Sequence, residues 1–374
     1  MSTHSHPTPL RHLGPNWYAT VMGTAIVASA GAALPLHAPG LRGAYEAVWA
    51  LAVLLLLSLL AARAGHWARH RDQARRHLGD PAVAPFYGCL AMAVLAVGGA
   101  TLSVGSGVIG ERAAVAADAV LWVAGTGIGL AAAAAIPYLM VTRHRIAPGD
   151  ASPVWLLPVV APMVSAATGP ALVPHLAAGQ WREAMLLGCY ALFGASLLAT
   201  LVILPAVVAR LIHHGPLPLV LTPTLFLVLG PLGQSTTAVG NLADVARGAV
   251  AAPYAEALGG FAVLYGVPVM GFALLWLALA GAMAVRAFRG GMGFAMTWWA
   301  FTFPVGTCVT GAAGLARHTG LSALTWAAGG LYVLLVAAWA VAATRTAAGL
   351  VSGRLLAAPR PAPSAPVPAM ARTT

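Results

Sequence analysis

The sequence contains no lysine, and only nine of its 374 residues are acidic. Charged residues make up 8% of it, against about 25% in an ordinary soluble domain. A water-facing surface needs more charge than this, so a soluble globular protein is excluded. Cysteine is almost as scarce. Cys89, Cys189 and Cys308 stand singly inside apolar stretches, which excludes a disulfide framework and a thiolate metal cluster. No Ser/His/Asp set, paired carboxylates or phosphate loop is present, so an enzyme is not expected and no cofactor or metal is implied. Gly125-Thr-Gly-Ile-Gly129 lies in an apolar stretch without the strand–turn–helix context of a nucleotide loop, and close helix packing explains it better. His66 and His70 stand at i,i+4 with His77 following, but no cage of further ligands surrounds them. They read as a solvated basic loop.

Apolar length is what the chain has in abundance, with 60% of its residues hydrophobic. A helix needs about 20 apolar residues to cross a hydrocarbon core. Ten such spans are expected, at 15–34, 44–62, 84–103, 113–141, 155–172, 183–210, 216–241, 253–285, 292–315 and 321–343. The fold class is therefore an all-α polytopic membrane protein. Ala28-Ser29-Ala30 resembles a signal cleavage site, but cleavage would leave nine spans and break the first pair, so 15–34 is read as a membrane helix. Residues 1–12 form an N-terminal tail and 13–345 the transmembrane domain. Residues 346–374 form a Pro/Ala-rich tail expected to be disordered.

The net charge of +11 is not a nucleic-acid footprint, because the arginines lie in short loops between apolar spans. They sort by side. Fifteen fall on the side of the N-terminus and five on the other: Arg42, Arg112, Arg182, Arg247 and Arg317. Positive charge stays in the cytoplasm, so both termini are placed there, in a cell (inner or plasma) membrane. The five outer arginines recur at spacings of 70, 70, 65 and 70. A regular period marks a structural repeat, here a helical hairpin repeated five times in tandem.

Odd and even spans differ. The second, 44–62, has neither Gly nor Pro. The odd spans carry hydroxyls, amides and helix breakers: Asn16, Thr20, Thr24 and Ser29 in the first, Thr222 to Asn241 in the seventh, Thr297 to Thr310 in the ninth. Polar groups avoid lipid, so the odd spans are expected to face inward around a central pore. Thr20, Thr24, Thr224, Gln234, Thr237 and Thr307 are its candidate lining. No acid lies deep in an odd span, and Arg69, Arg71, Arg75 and Arg76 gather at the inner mouth, a balance that favours anions. Pro304 cannot donate to the carbonyl of Ala300 and should kink the ninth helix, aiming Phe303 at the path.

Three odd-span stretches carry a family resemblance: Gly14-Pro-Asn-Trp-Tyr-Ala-Thr-Val-Met-Gly-Thr-Ala-Ile26, Leu229-Gly-Pro-Leu-Gly-Gln234 and Trp298-Trp-Ala-Phe-Thr-Phe-Pro304. The chain resembles the tellurite-resistance/dicarboxylate transporter family over roughly 12–345. That family takes in fungal malate permeases, sulfite pumps and plant guard-cell slow anion channels. One departure is Ala25, where the family often has Gly. The resemblance implies ten helices in five hairpins around a pore, a homotrimer, and a Phe of the ninth helix closing the pore. Phe303 matches that position best, with Phe301 as runner-up. The expected function is an anion channel or uniporter for small inorganic or organic anions. The alternative is a secondary carrier or exporter for a C4-dicarboxylate, sulfite or tellurite, with or without coupling to protons.

Overall fold

The computed structural model describes residues 11–35 and 40–356, and among them there are helices and no strand. Among the described residues nine helices are long and apolar enough to cross a membrane: Leu41–Arg69, Ala84–Ile109, Glu111–Thr142, Pro153–His175, Gln180–His214, Leu219–Ala246, Ala252–Arg289, Met296–Thr319 and Ser322–Val351. The tenth expected span is the 16-residue helix Tyr18–Ala33, entered through a 3-10 turn at Pro15–Trp17. We number these spans 1 to 10 in chain order. Span 10 continues beyond residue 345 to Val351, and a 3-10 turn follows at Arg354–Leu356; residues 1–10 and 357–374 of the two tails lie outside the described residues.

Each odd span packs against the even span that follows it, giving five hairpins. Spans 1, 3, 5, 7 and 9 also touch in sequence, and span 9 returns to span 1, so the five close a ring. Every even span leans on its hairpin partner and on the next odd span. Burial follows this plan. In spans 3, 5, 7 and 9, 78–89% of an apolar 18-residue stretch is buried, against 22–28% in the even spans. In span 1, 13 of the 16 helical residues are buried. Leu54, Val202, Leu264 and Val333 of the even spans stay exposed, as lipid-facing side chains should be.

The repeat has a local cause. The turns that join the two spans of the first, second, third and fifth hairpins each contain a glycine in the left-handed region: Gly40, Gly110, Gly179 and Gly320, at φ 85°, 84°, 91° and 70°. Side chains other than glycine's are disfavoured there, which fixes where each turn ends. Arg42, Arg112 and Arg182 follow three of these glycines within the first turn of the next helix. The other two arginines of the group of five break the pattern. Arg247 caps the end of span 7, and Arg317 lies inside span 9 rather than in a loop.

At the opposite, arginine-rich end, every odd span opens with a 3-10 segment: Pro15–Trp17, Ala84–Tyr87, Pro153–Trp155, Leu219–Val228 and Met296–Phe301. Proline is tolerated in a first turn because its missing N–H has no intrahelical partner there. The five N-terminal ends therefore point the same way, and the positive ends of five helix dipoles collect around the axis. Gly125 and Gly129 of span 4 serve packing, as expected from their context, while Gly127 between them faces open space. A Cβ on Gly125 would stand 2.7 Å from Leu95 of span 3.

Candidate functional site

Two cavities lie on the axis of the odd-span ring. The nearer to the arginine-rich end is lined by Met22, Met92, Leu156, Leu157, Val160, Leu227, Gly230, Phe303 and Pro304, one or more from each odd span. Its volume is about 10 Å³, about the least that holds a water molecule. The farther chamber holds about 190 Å³, and its lining includes Ile26, Ser29, Ser103, Thr168, Gln234, Thr237, Asn241, Phe303, Thr310 and Arg317. Phe303 is 2% exposed and belongs to both walls. Its ring thus stands between an apolar throat and a polar chamber.

The ninth span presents Phe303 by a break rather than a kink. The 3-10 segment ends at Phe301, Thr302 adopts φ −98°, ψ −82°, and an α-helix restarts at Phe303. Pro304 occupies the first turn of that helix, where its missing N–H costs nothing. The expected lost hydrogen bond in mid-helix is therefore not the cause of the bend; the sequence simply starts a new helix there. Close backbone approach fixes the new helix on both flanks. A Cβ on Gly23 of span 1 would meet the Thr302 hydroxyl and the Trp299 ring, and one on Gly233 of span 7 would lie 2.5 Å from the backbone of Thr307 and Cys308.

Phe301 points elsewhere. It packs edge-on against Phe226, and near Phe288 and Trp298, and lines neither cavity. Of the polar residues singled out from the sequence, Gln234 and Thr237 line the far chamber. Thr20, Thr24, Thr224 and Thr307 belong to neither wall. The Thr20 and Thr224 hydroxyls donate to the carbonyls of Trp17 and Leu221. The Thr24 hydroxyl donates to Thr20 and accepts the indole N–H of Trp339 on span 10. Thr307 donates to Pro304 and faces the carbonyls of Leu229 and Gly230.

Arg69, Arg71, Arg75 and Arg76 are exposed at the arginine-rich end, on the close of span 2 and the short helix Arg71–Gly79. Arg63, which reads in the sequence as one more topology signal, is buried. Its guanidinium donates to the Leu13 carbonyl at 2.6 Å and to the Tyr87 hydroxyl at 3.3 Å, tying together the starts of spans 1 and 3. Beside it the three histidines do not form a solvated loop. His66 is fully buried, and His77 stacks on it with ring centroids 5.5 Å apart. Burial first, then the charges of Arg63 and His66, push the His77 imidazole down from 6.5 to about 4, against the pull of Asp80.

Sequence reasoning also missed Asp118. It lies two turns inside span 4, buried against Gly98 of span 3. No described group bonds either carboxylate oxygen. Arg317, Asn241 and Thr310 were passed over as site residues, although a signal for them exists. Phe303, Thr310 and Arg317 are spaced by seven, and Gln234, Thr237 and Asn241 by three and then four. Both patterns place their members on one helix face.

A family model described as "SLAC1: Voltage-dependent anion channel" matches residues 12–347. An uncharacterized transporter of Methanocaldococcus jannaschii is 27% identical over 347 residues, covering 92% of this chain and 96% of the relative. Sulfite efflux pumps of Arthroderma otae and Trichophyton rubrum are 29% and 28% identical over 305 residues, covering 79% of this chain and 80% of each pump.

Proposed function

Because this chain belongs to the SLAC1 voltage-dependent anion channel family, we propose that it passes small anions down their electrochemical gradient, as a channel or uniporter closed by Phe303. The observation that carries this reading is the position of Phe303 in the walls of both axial cavities. A hydrophobic constriction of this kind gates by dewetting. The arginine-rich end and the five helix N-termini beside it attract anions to the mouth on that side. We place that end in the cytoplasm of a cell membrane, as the fifteen-to-five division of arginines supports. Three copies assembling side by side, each with its own path, is the oligomer the reading favours.

The test is flux in vesicles reconstituted with the full chain, across a panel of anions and cations, without a pH gradient. Anion flux should exceed cation flux and follow the gradient. Equal cation flux would contradict the reading. A maleimide applied from outside should reach a cysteine replacing Gly43, which is exposed and has open space for a side chain, and not one replacing Gly79. The native Cys89, Cys189 and Cys308 are buried and give little background.

A second reading is an exporter coupled to protons. Two observations favour it: the names of the fungal relatives and the buried, unbonded carboxylate of Asp118, since intramembrane acids often relay protons. Transport that strictly requires a pH gradient, with the substrate's charge state held fixed, would select it.

A further inference from the structure

A third cavity opens away from the axis. At the arginine-rich end spans 6 and 8 stand on either side of the entry to span 7, and a cleft of about 430 Å³ separates them. That is within the size range of built small-molecule sites. Leu211 and Ile212 of span 6 form one wall, and Leu279 and Met283 of span 8 the other. Leu225 and Trp276 are buried in its floor. Ile212 and Leu279 are exposed, so the cleft faces the lipid side of the molecule rather than the odd-span ring.

Floor and rim differ in chemistry. The Trp276 indole N–H donates to the Leu225 carbonyl at 2.9 Å, and the wall side chains are hydrocarbon and thioether. Such a floor suits an apolar occupant, because a polar one would lose its hydrogen bonds there. Arg286 lines the rim and is exposed. Among the described residues its guanidinium has no ion pair and no hydrogen bond. Arg210, at the same end, is already committed to the carbonyls of Gly149 and Gly215. His213, His214 and Arg289 also stand at this end, whereas the acids of the two spans, Glu183 and Glu256, lie at the other. The rim therefore carries positive charge that the protein does not offset.

The depth matches a membrane leaflet. Glu256 and Arg286 are 30 residues apart on span 8, about 45 Å of helix. A bilayer with its headgroups is about 40–45 Å thick, which sets Arg286 at headgroup level. Trp276 lies ten residues before it, about 15 Å deeper, and half of a hydrocarbon core is also about 15 Å.

We propose that this cleft is a binding site for an anionic phospholipid of the leaflet on the arginine-rich side. An acyl chain lies between spans 6 and 8, and the phosphate rests on Arg286. A guanidinium pairs two N–H bonds with phosphate oxygens, and basic pockets between membrane helices are where anionic headgroups are held. A zwitterionic lipid fills the same apolar depth but brings its own cation to a positive rim. The site is separate from the axial path and does not depend on what passes there.

The experiment follows the thermal transition of the full chain in detergent, titrated with dioleoyl phosphatidylglycerol, dioleoyl phosphatidylcholine or inorganic phosphate. Phosphatidylglycerol should raise the transition saturably, as a ligand of the folded state does. Phosphatidylcholine should raise it less, and phosphate alone not at all. Arg286→Gln should unfold at an unchanged temperature without lipid, because no protein partner is lost. It should need about tenfold more phosphatidylglycerol for half-saturation, the scale of one hydrogen bond to a charged group. Arg289→Gln, outside the lining, should move half-saturation less. Met283→Trp, which fills the cleft, should abolish the phosphatidylglycerol response at unchanged oligomeric mass. Equal responses to the two lipids, or an unchanged half-saturation in Arg286→Gln, would overturn the headgroup site. A response to phosphate alone would make it a free-anion site. A lower oligomeric mass in Met283→Trp would give the cleft to a neighbouring copy of the chain, and either result would overturn the lipid.

Discussion

The ring of Phe301 stands edge-on to that of Phe226, with centroids 4.7 Å apart and planes at 89°. Phe288 and Trp298 complete the cluster at 6.4 and 6.1 Å. The cluster joins the entry of span 7, the close of span 8 and the entry of span 9, and the break at Thr302 separates it from Phe303. Phe301→Ala should therefore destabilise without opening the path. A fully buried Phe→Ala costs about 3–5 kcal/mol; Phe301 is partly exposed, so the loss should lie at or below the low end. A lowered thermal transition in detergent with basal anion flux unchanged is the expected result.

Gly233 gives a second stability prediction. A Cβ there would stand 2.5 Å from the Thr307 carbonyl carbon and the Cys308 nitrogen. Both are backbone atoms, so no side chain can rotate away, and spans 7 and 9 must separate. Gly233→Ala should cost about 1–3 kcal/mol or more. Gly127→Ala on span 4, where a Cβ meets nothing within 4 Å, should be neutral or stabilising by up to about 1 kcal/mol. Thermal unfolding of the two variants side by side checks the contrast.

The His66–His77 stack predicts a pH dependence of stability. The folded chain holds the His77 imidazole at about 4, below its ordinary 6.5. Between those values the unfolded chain binds a proton that the folded chain refuses. Stability from this group is thus fully present above pH 6.5 and is lost as pH falls toward 4. His77→Gln should flatten the slope of thermal stability across that window. An identical slope in the variant would assign it to another group.

The arginines of the short helix act at longer range. Neutralising Arg69, Arg71, Arg75 and Arg76 together should slow anion entry from their side at low ionic strength. The effect should shrink once the Debye length falls to about 8 Å or less. Flux measured across a salt series separates this from misfolding, which would lower flux equally at all salt concentrations.

Much of this architecture was legible in the sequence. A hydrocarbon core demands long apolar runs, so the ten spans could be read directly, and the polar content of the odd spans marked them as the inner ring. The rotation of each helix about its own axis was harder to read. A hydroxyl in a membrane helix satisfies itself on its own backbone, as Thr20 and Thr224 do, and so its presence does not say which way it faces. The stripes through Phe303, Thr310 and Arg317 and through Gln234, Thr237 and Asn241 carry that direction. Tertiary packing also overrode local character. His66 and His77 look solvated in a basic segment but are covered by neighbouring elements, and Asp118 near a helix start looks superficial but is buried by span 3. Pro304 is ambiguous by nature, since the same residue kinks a continuing helix or opens a new one.

The most direct measurement is basal anion conductance of Phe303→Ala in reconstituted bilayers, beside the unaltered chain and Phe301→Ala. With the ring removed, the 10 Å³ throat and the 190 Å³ chamber should join into one wetted path. The account predicts a large rise in anion conductance for Phe303→Ala, little or none for Phe301→Ala, and intact assembly of both proteins. Conductance unchanged in Phe303→Ala, accompanied by a loss of stability of about 3–5 kcal/mol as expected for a ring that merely packs, would contradict it.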